Sequence, residues 1–292
     1  MTFIKSIKTS GSKINLYKLD EKLLSEDIKG TTLFSEGINL CFLDLETTGF
    51  NAEQDKIIEI ALKVVRIDKS DGSIISVEDK YESFQDPGIH IDDKITKITG
   101  ISNEMVSGHE INWNKVSEII QKTDVMVAHN AKFDRSFMDI STPISKDKIW
   151  ACSIYDIDWL ERGFVKGSLE LLSIWHGFYY DSHRAMNDVN ATVHLLLHPS
   201  YKTYPPLEEL VENSEKPQHI IINKFPYNDS FIKALKKRGG YRYNPTDKSW
   251  RIIFKDKDLL DVEVEWLKEN IYNGYFQGQV QEISVFDKYK TV

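Results

Sequence analysis

The chain has 292 residues, 41% hydrophobic and 28% charged, which is the usage of one large or two ordinary globular domains. Its two cysteines, Cys41 and Cys152, stand in no CxxC or Cys/His cluster, which argues against a structural zinc site and a disulfide scaffold. The net charge of −8 is uneven: residues 219–258 hold ten Lys/Arg against four Asp/Glu, a charge of +6, leaving −14 on the rest.

No apolar run approaches the ~20 residues that span a bilayer, and the N-terminus is too polar for a secretory signal. The expectation is a soluble, intracellular (cytoplasmic) protein without a membrane partner. Residues 1–36 read as a polar N-terminal extension. Residues 39–45 form an apolar run bounded by Glu46-Thr47-Thr48-Gly49, a buried strand followed by a turn. Residues 56–67 and 73–84, either side of the hairpin signal Gly72-Ser73, complete three antiparallel strands. Ser102 followed by Glu104 opens a helical stretch, and residues 113–121 space Val116, Ile119 and Ile120 on one helical face. A short strand over 124–128 leads into a helix over 133–140, with further helices over 169–176 and 186–197. Pro199, Pro205 and Pro206 end the last. Residues 201–216 have linker composition. Beyond them, 217–292 read as a small β-α-β-β-α unit, with strands at 219–223, 241–243 and 249–254 and helices at 229–238 and 259–270.

Chemistry-bearing residues fall in three places. Asp44 and Glu46 are two apart on a strand, so they share a face while Leu45 points away. Paired carboxylates repel unless a cation neutralises them, and oxygen-only ligands favour Mg²⁺ or Mn²⁺. Asp134 lies at a strand-to-helix junction, His183 just before a helix and Asp188 on it. Each has an ordinary reading as a solvated acid, helix-dipole partner or surface histidine. The order Asp-x-Glu, Asp, His-x4-Asp does not.

That order, with FLDLETTGF at 42–50, AHNAKFDRSFMD at 128–139 and SHRAMNDVNAT at 182–192, resembles the DEDDh, DnaQ-like exonucleases of the ribonuclease-H-like superfamily. The resemblance runs from about 37 to 197 and includes KIIEIALKV and ITGISNEM. It implies an α/β fold, a mixed five-stranded sheet flanked by helices, in an exonuclease domain over 37–200. It also implies a metal-dependent 3′→5′ exonuclease releasing 5′-mononucleotides. Asp44, Glu46, Asp134 and Asp188 would hold two divalent cations, with His183 as general base. Thr47, Ile101, Asn130 and Phe133 match positions near the terminal nucleotide. Glu59 reads as a structural hydrogen-bonding residue and Cys152 as core. Thr99-Gly100 departs from the family's His-Gly, which leaves the substrate grip there open.

In the C-terminal unit, FIKALKKRGGYRYNPTDKSWRIIF interleaves Lys236, Lys237, Arg238, Arg242, Lys248 and Arg251 with aromatic residues. The basic groups are candidate phosphate contacts, while Trp250, Ile252 and Phe254 alternate as a core face would. RYNPTDKSW weakly resembles the HARP-like module of annealing helicases. The expected partner is nucleic acid, DNA ahead of RNA. An RNA-trimming exoribonuclease and a non-catalytic nucleic-acid-binding protein of the same fold are the alternatives.

Overall fold

A computed structural model describes residues 9–10, 13–20, 37–69 and 73–291. They divide into two compact units, Glu215–Lys288 and the remainder. In chain order the elements of the larger unit begin with β1 (Thr9–Ser10), β2 (Lys13–Ile14), β3 (Tyr17–Lys18), β4 (Gly37–Thr47), β5 (Ile57–Asp68) and β6 (Ile74–Phe84). Then come α1 (Asp93–Thr99), α2 (Asn103–Val106), α3 (Trp113–Gln121), β7 (Val125–Ala128), α4 (Ala131–Ser141) and a 3-10 turn (Pro143–Asp147). The unit closes with β8 (Ile149–Cys152), α5 (Leu169–Trp175), β9 (Phe178–Tyr179), α6 (Ala185–Leu196) and α7 (Pro206–Ser214).

Five strands form the main sheet in the order β6-β5-β4-β7-β8. The first two pairings are antiparallel and the last two parallel. This is a mixed, helix-flanked five-stranded sheet, as the resemblance implies. The short apolar strands β7 and β8 are buried throughout or nearly so, as parallel strands covered on both faces must be. Gly72 of the hairpin signal lies outside the described residues, but β5 and β6 pair antiparallel across it.

Side-chain alternation on β4 divides the core in two. Ile38, Leu40 and Phe42 pack with α5, α6 and α7, while Cys41, Leu43 and Leu45 pack with α3 and α4. Burial of each large apolar side chain contributes roughly 1.5–3 kcal/mol, which offsets the cost of the carboxylates at the end of this strand.

The sequence reading has no counterpart of β1–β3, α1, β8 or β9, and three further segments of this unit differ from it. Ser102 stands at the N-cap of only a four-residue helix, and its hydroxyl bonds the Glu104 carboxylate rather than the helix backbone. Residues 206–214, which have linker composition, form α7, because Leu207 and Leu210 are fully buried in the core of the larger unit. Residues 289–291 also group with that unit, and Tyr289 packs on its α3/α4 side.

The smaller unit contains β10 (Gln218–Asn223), α8 (Asp229–Arg238), β11 (Arg242–Asn244), β12 (Ser249–Phe254), α9 (Lys257–Asn270) and β13 (Gln279–Ile283). Its antiparallel sheet has the order β11-β12-β10-β13. The edge strand β13 extends the β-α-β-β-α reading. Ile221, Leu235, Leu260 and Leu267 form the core, and Trp250, Ile252 and Phe254 pack against it. These aromatics therefore serve packing. No helix among the described residues is long and apolar enough to cross a membrane.

Candidate active site

The row Ile38, Leu40, Phe42 on β4 continues into Asp44 and Glu46 at the C-terminal end of the strand. Alternation puts both carboxylates on the face covered by α6, and α6 carries Asp188 in its first turn. One oxygen from each of Asp44, Glu46 and Asp188 lies within 4.8 Å of the other two. Asp134 arrives from the opposite face, on the first turn of α4. It is 1% exposed, and neither of its oxygens has a hydrogen-bond partner.

Three carboxylates held this closely, with the charge of Asp134 also acting on them, cannot all ionise unaided. Burial first, then the charges of Asp188, Asp134 and Glu46, holds Asp44 well above the usual carboxylate range. Burial and the charge of Asp188 push Glu46 up to about 8. Burial lifts Asp134 as well. Asp188 rises only to about 6, because the Tyr180 hydroxyl and the Arg184 amide favour its charged form against burial. Tyr180 donates to Asp188 Oδ1 at 2.9 Å and Arg184 N–H to Oδ2 at 3.2 Å.

An orphaned buried carboxylate beside three clustered ones is the arrangement a divalent cation satisfies. The donors are all hard oxygens, which suits Mg²⁺ or Mn²⁺ rather than a thiolate-seeking metal. The set fits such ions.

Asp44, Glu46, Asp188 and His183 line a cleft of about 400 Å³. His183 is exposed and takes the left-handed conformation, φ 62°, immediately before α6. This is an uncommon backbone state for a residue other than glycine. Behind it, Arg184 binds Glu59 on β5, with Nη2 2.9 Å from Oε1, and the Ala185 N–H donates to Glu59 Oε2 at 2.9 Å. Glu59 is thus an anchor for the start of α6.

Thr47 lines the cleft after a β-bulge between Glu46 and Thr47, and its hydroxyl donates to Gly49 O at 2.6 Å. A Cβ at Gly49 would lie 2.5 Å from Asp55 Oδ2, so a side chain there would push the Asp55 carboxylate off the Thr48 hydroxyl and the Asn51 N–H that bond it. The turn presents Phe50, 89% exposed, to the cleft, its ring 6.1 Å from Phe133.

Two of the residues matched to the terminal nucleotide are placed elsewhere. Ile101 is fully buried with Ile58, Ile91 and Val106. Helix α1 ends at the left-handed Gly100, the chain turns inward, and Ile98 faces the cleft instead. Asn130 is exposed and does not line the cleft; its left-handed backbone, φ 77°, starts α4.

Sequence reasoning missed Tyr180, Arg184 and His129. His129 lines the cleft with Nδ1 2.7 Å from Ser153 Oγ, its buried Nε2 has no partner, and burial lowers its pKa to about 4. Arg184 sits next to His183, a signal that was available. Nothing in the sequence links Tyr180 to Asp188.

In the smaller unit Lys236, Lys237, Arg242 and Lys248 are exposed. Arg238 instead pairs with the buried Glu263, and Arg251 with Asp247, at 2.9 and 2.7 Å.

Residues 41–196 match the Exonuclease (RNase_T) family. The chain is 29% identical over 212 residues to the DNA polymerase III PolC-type of Clostridium perfringens, covering 67% of this chain and 14% of that protein. It is 31% identical over 233 residues to the DNA polymerase III PolC-type of Listeria innocua, covering 75% and 15%. The chain thus spans about a seventh of the length of these relatives. Among solved structures, exonuclease X in complex with 5′ overhanging duplex DNA aligns with a TM-score of 0.43 at 23% identity, covering 59% of this chain and 98% of that one.

Proposed function

Because the chain belongs to the Exonuclease (RNase_T) family, we propose that it is a metal-dependent 3′→5′ exonuclease that releases 5′-mononucleotides, from DNA in the first instance. The observation that carries the reading is the convergence of Asp44, Glu46 and Asp188 beside the unpartnered, buried Asp134, in a cleft that His183 also lines.

In this reading Asp44, Glu46, Asp134 and Asp188 hold two divalent cations, Mg²⁺ or Mn²⁺. When bound, such ions neutralise the carboxylates, polarise the scissile phosphate and ease ionisation of water. His183 accepts the proton of the attacking water at an imidazole nitrogen, a transfer to which histidine is suited near neutral pH. Phe50, Phe133 and Ile98 give the cleft apolar walls against which a terminal base packs, and Thr47 positions the terminal nucleotide. His129, neutral because it is buried, offers Nε2 for a hydrogen bond without competing for the proton. Positioning supplies most of the acceleration.

The smaller unit, Glu215–Lys288, would grip phosphates through Lys236, Lys237, Arg242 and Lys248, and its sheet and helices supply only the scaffold. The experiment follows single-stranded DNA, duplex DNA and RNA, labelled at either end, with Mg²⁺. A 3′ label leaving at once as mononucleotide, with a ladder from the 5′ label, is expected. Asp44→Ala and His183→Ala should each lower release by about 10²-fold or more. Undiminished release by either variant sinks the assignment.

A further inference from the structure

We propose that the N-terminal segment around Tyr17–Leu19 is a positioning strap for the active-site loop, acting on His183 and Asp188 through the two sides of Tyr180. The proposal rests on the exonuclease reading for its kinetic consequence, though not for its geometry.

The strap is short and specific. β3 pairs in parallel with β9, which has no other strand neighbour among the described residues. Tyr17 N–H donates to Gly177 O at 3.1 Å and Leu19 N–H to Tyr179 O at 2.8 Å. Leu19 also packs against the core. The Tyr17 hydroxyl sits between two imidazoles, 2.7 Å from His194 Nε2 and 3.0 Å from His198 Nε2. A hydroxyl can donate to one ring and accept from the other, so neutral imidazoles suit it. Burial keeps both neutral, lowering His194 to about 4 and His198 to about 3. On the far side, Lys18 Nζ lies 2.7 Å from Asp181 Oδ2.

The strap therefore holds residue 179 by its backbone and residue 181 by its side chain. Between them is Tyr180, whose hydroxyl donates to Asp188 Oδ1 at 2.9 Å. Two residues after Asp181 comes His183, in its left-handed conformation. A strap needed only for stability could attach anywhere on the core, whereas this one brackets the residue that orients Asp188. Displacement of a reacting group by about 1 Å can cost as much as 10²-fold in rate, so a loop carrying the proposed base gains from such a tie.

The test uses two variants of the full chain. Leu19→Pro removes the N–H that bonds Tyr179, and Tyr17→Phe removes only the hydroxyl. Turnover of a 3′-labelled single strand is measured at temperatures where each variant is folded, together with ¹⁵N-histidine spectra. Leu19→Pro should lower kcat on the order of tenfold with KM unchanged, and Tyr17→Phe should lower it by less. The His183 signals should move in both while those of His219, in the smaller unit, stay. Unchanged kcat in both variants, even with lowered Tm, overturns the proposal. If Leu19→Pro does not fold, Tyr17→Phe decides alone. If the unaltered chain releases nucleotide from no substrate, the exonuclease reading fails. The spectra then still judge the strap, and unmoved His183 signals overturn it.

Discussion

Arg184 closes on Glu59 with Nη2 2.9 Å from Oε1, and Glu59 stands directly across the β4–β5 ladder from Glu46. Like charges facing each other on neighbouring strands destabilise a sheet. The guanidinium turns that conflict into an anchor for α6, so Asp188, in the first turn of the helix, arrives at Asp44 and Glu46. Arg184→Ala should therefore cost about 2 kcal/mol in urea unfolding at unchanged m-value. That is below the figure for a fully buried pair, because the Arg184 side chain is 42% exposed. Arg184→Lys should recover only part of it, since the lysine lacks the fork that reaches Glu59 through Nε and Nη2. A loss below about 0.5 kcal/mol, within the usual range of surface changes, would refute the anchor.

The carboxylate cluster makes the metal-free protein sensitive to pH in a defined direction. Asp44, Glu46, Asp134 and Asp188 all have folded pKa values raised above the ordinary range. Through that interval the folded state holds more protons than the unfolded one, so stability falls as pH rises. The window opens near the ordinary carboxylate values, about 4, and extends to about 8, where Glu46 ionises. Without metal, Tm should fall across this window. Added Mg²⁺ or Mn²⁺ should raise Tm more at pH 8 than at pH 5, because binding displaces those protons. Asp44→Asn should raise the metal-free Tm at pH 8. A metal-induced gain that is largest at pH 5 would contradict the cluster's electrostatics.

Tyr180→Phe isolates one hydrogen bond. The variant keeps the ring but leaves Asp188 Oδ1 without its donor, at a net cost of about 1–2 kcal/mol for a bond to a charged group. The expected signature is weaker Mn²⁺ binding by calorimetry, by about tenfold, with the metal-saturated protein less stable by about 1.4 kcal/mol, since a ligand stabilises the fold in proportion to its binding free energy. Unaltered Mn²⁺ affinity would show that the hydroxyl does not orient Asp188.

The parts of this architecture that were legible in the sequence are those with a strong local pattern. The apolar runs of β4, β5 and β7 and the periodicity of α3 are local signals, and the ordered carboxylates carry the family's motif. The parts that were not legible depend on distant partners. β8 is four residues long and becomes a strand only beside β7, and β9 exists as a strand only through its pairing with β3. Helix α7 was hidden by two prolines and a cluster of glutamates, although Leu207 and Leu210 are buried. At the cleft, Ile98 and Ile101 are the same residue type, and the left-handed turn at Gly100 lies between the one that lines the cleft and the one that is buried. The Tyr180–Asp188 bond needed the loop's three-dimensional course.

The smaller unit offers a comparison internal to one basic cluster. Lys236 and Lys237 close α8, and Arg242 and Lys248 flank the β11–β12 turn, all exposed. Arg238 adjoins the two lysines in sequence, yet its guanidinium bonds Glu263, which is 4% exposed and also accepts from Tyr241 at 2.7 Å. If this surface grips phosphates, Lys236→Ala with Lys237→Ala should weaken DNA binding and reduce the slope of log affinity against log salt by roughly 1 per lysine. Stability should hardly change. Arg238→Ala should do the reverse: it leaves the Glu263 carboxylate short of a donor, costs about 1–2 kcal/mol of stability, and leaves the salt slope nearly intact. Binding titrations at three salt concentrations, paired with urea unfolding, separate the two behaviours. A salt slope that is unaffected by the lysine pair would remove phosphate binding from this surface.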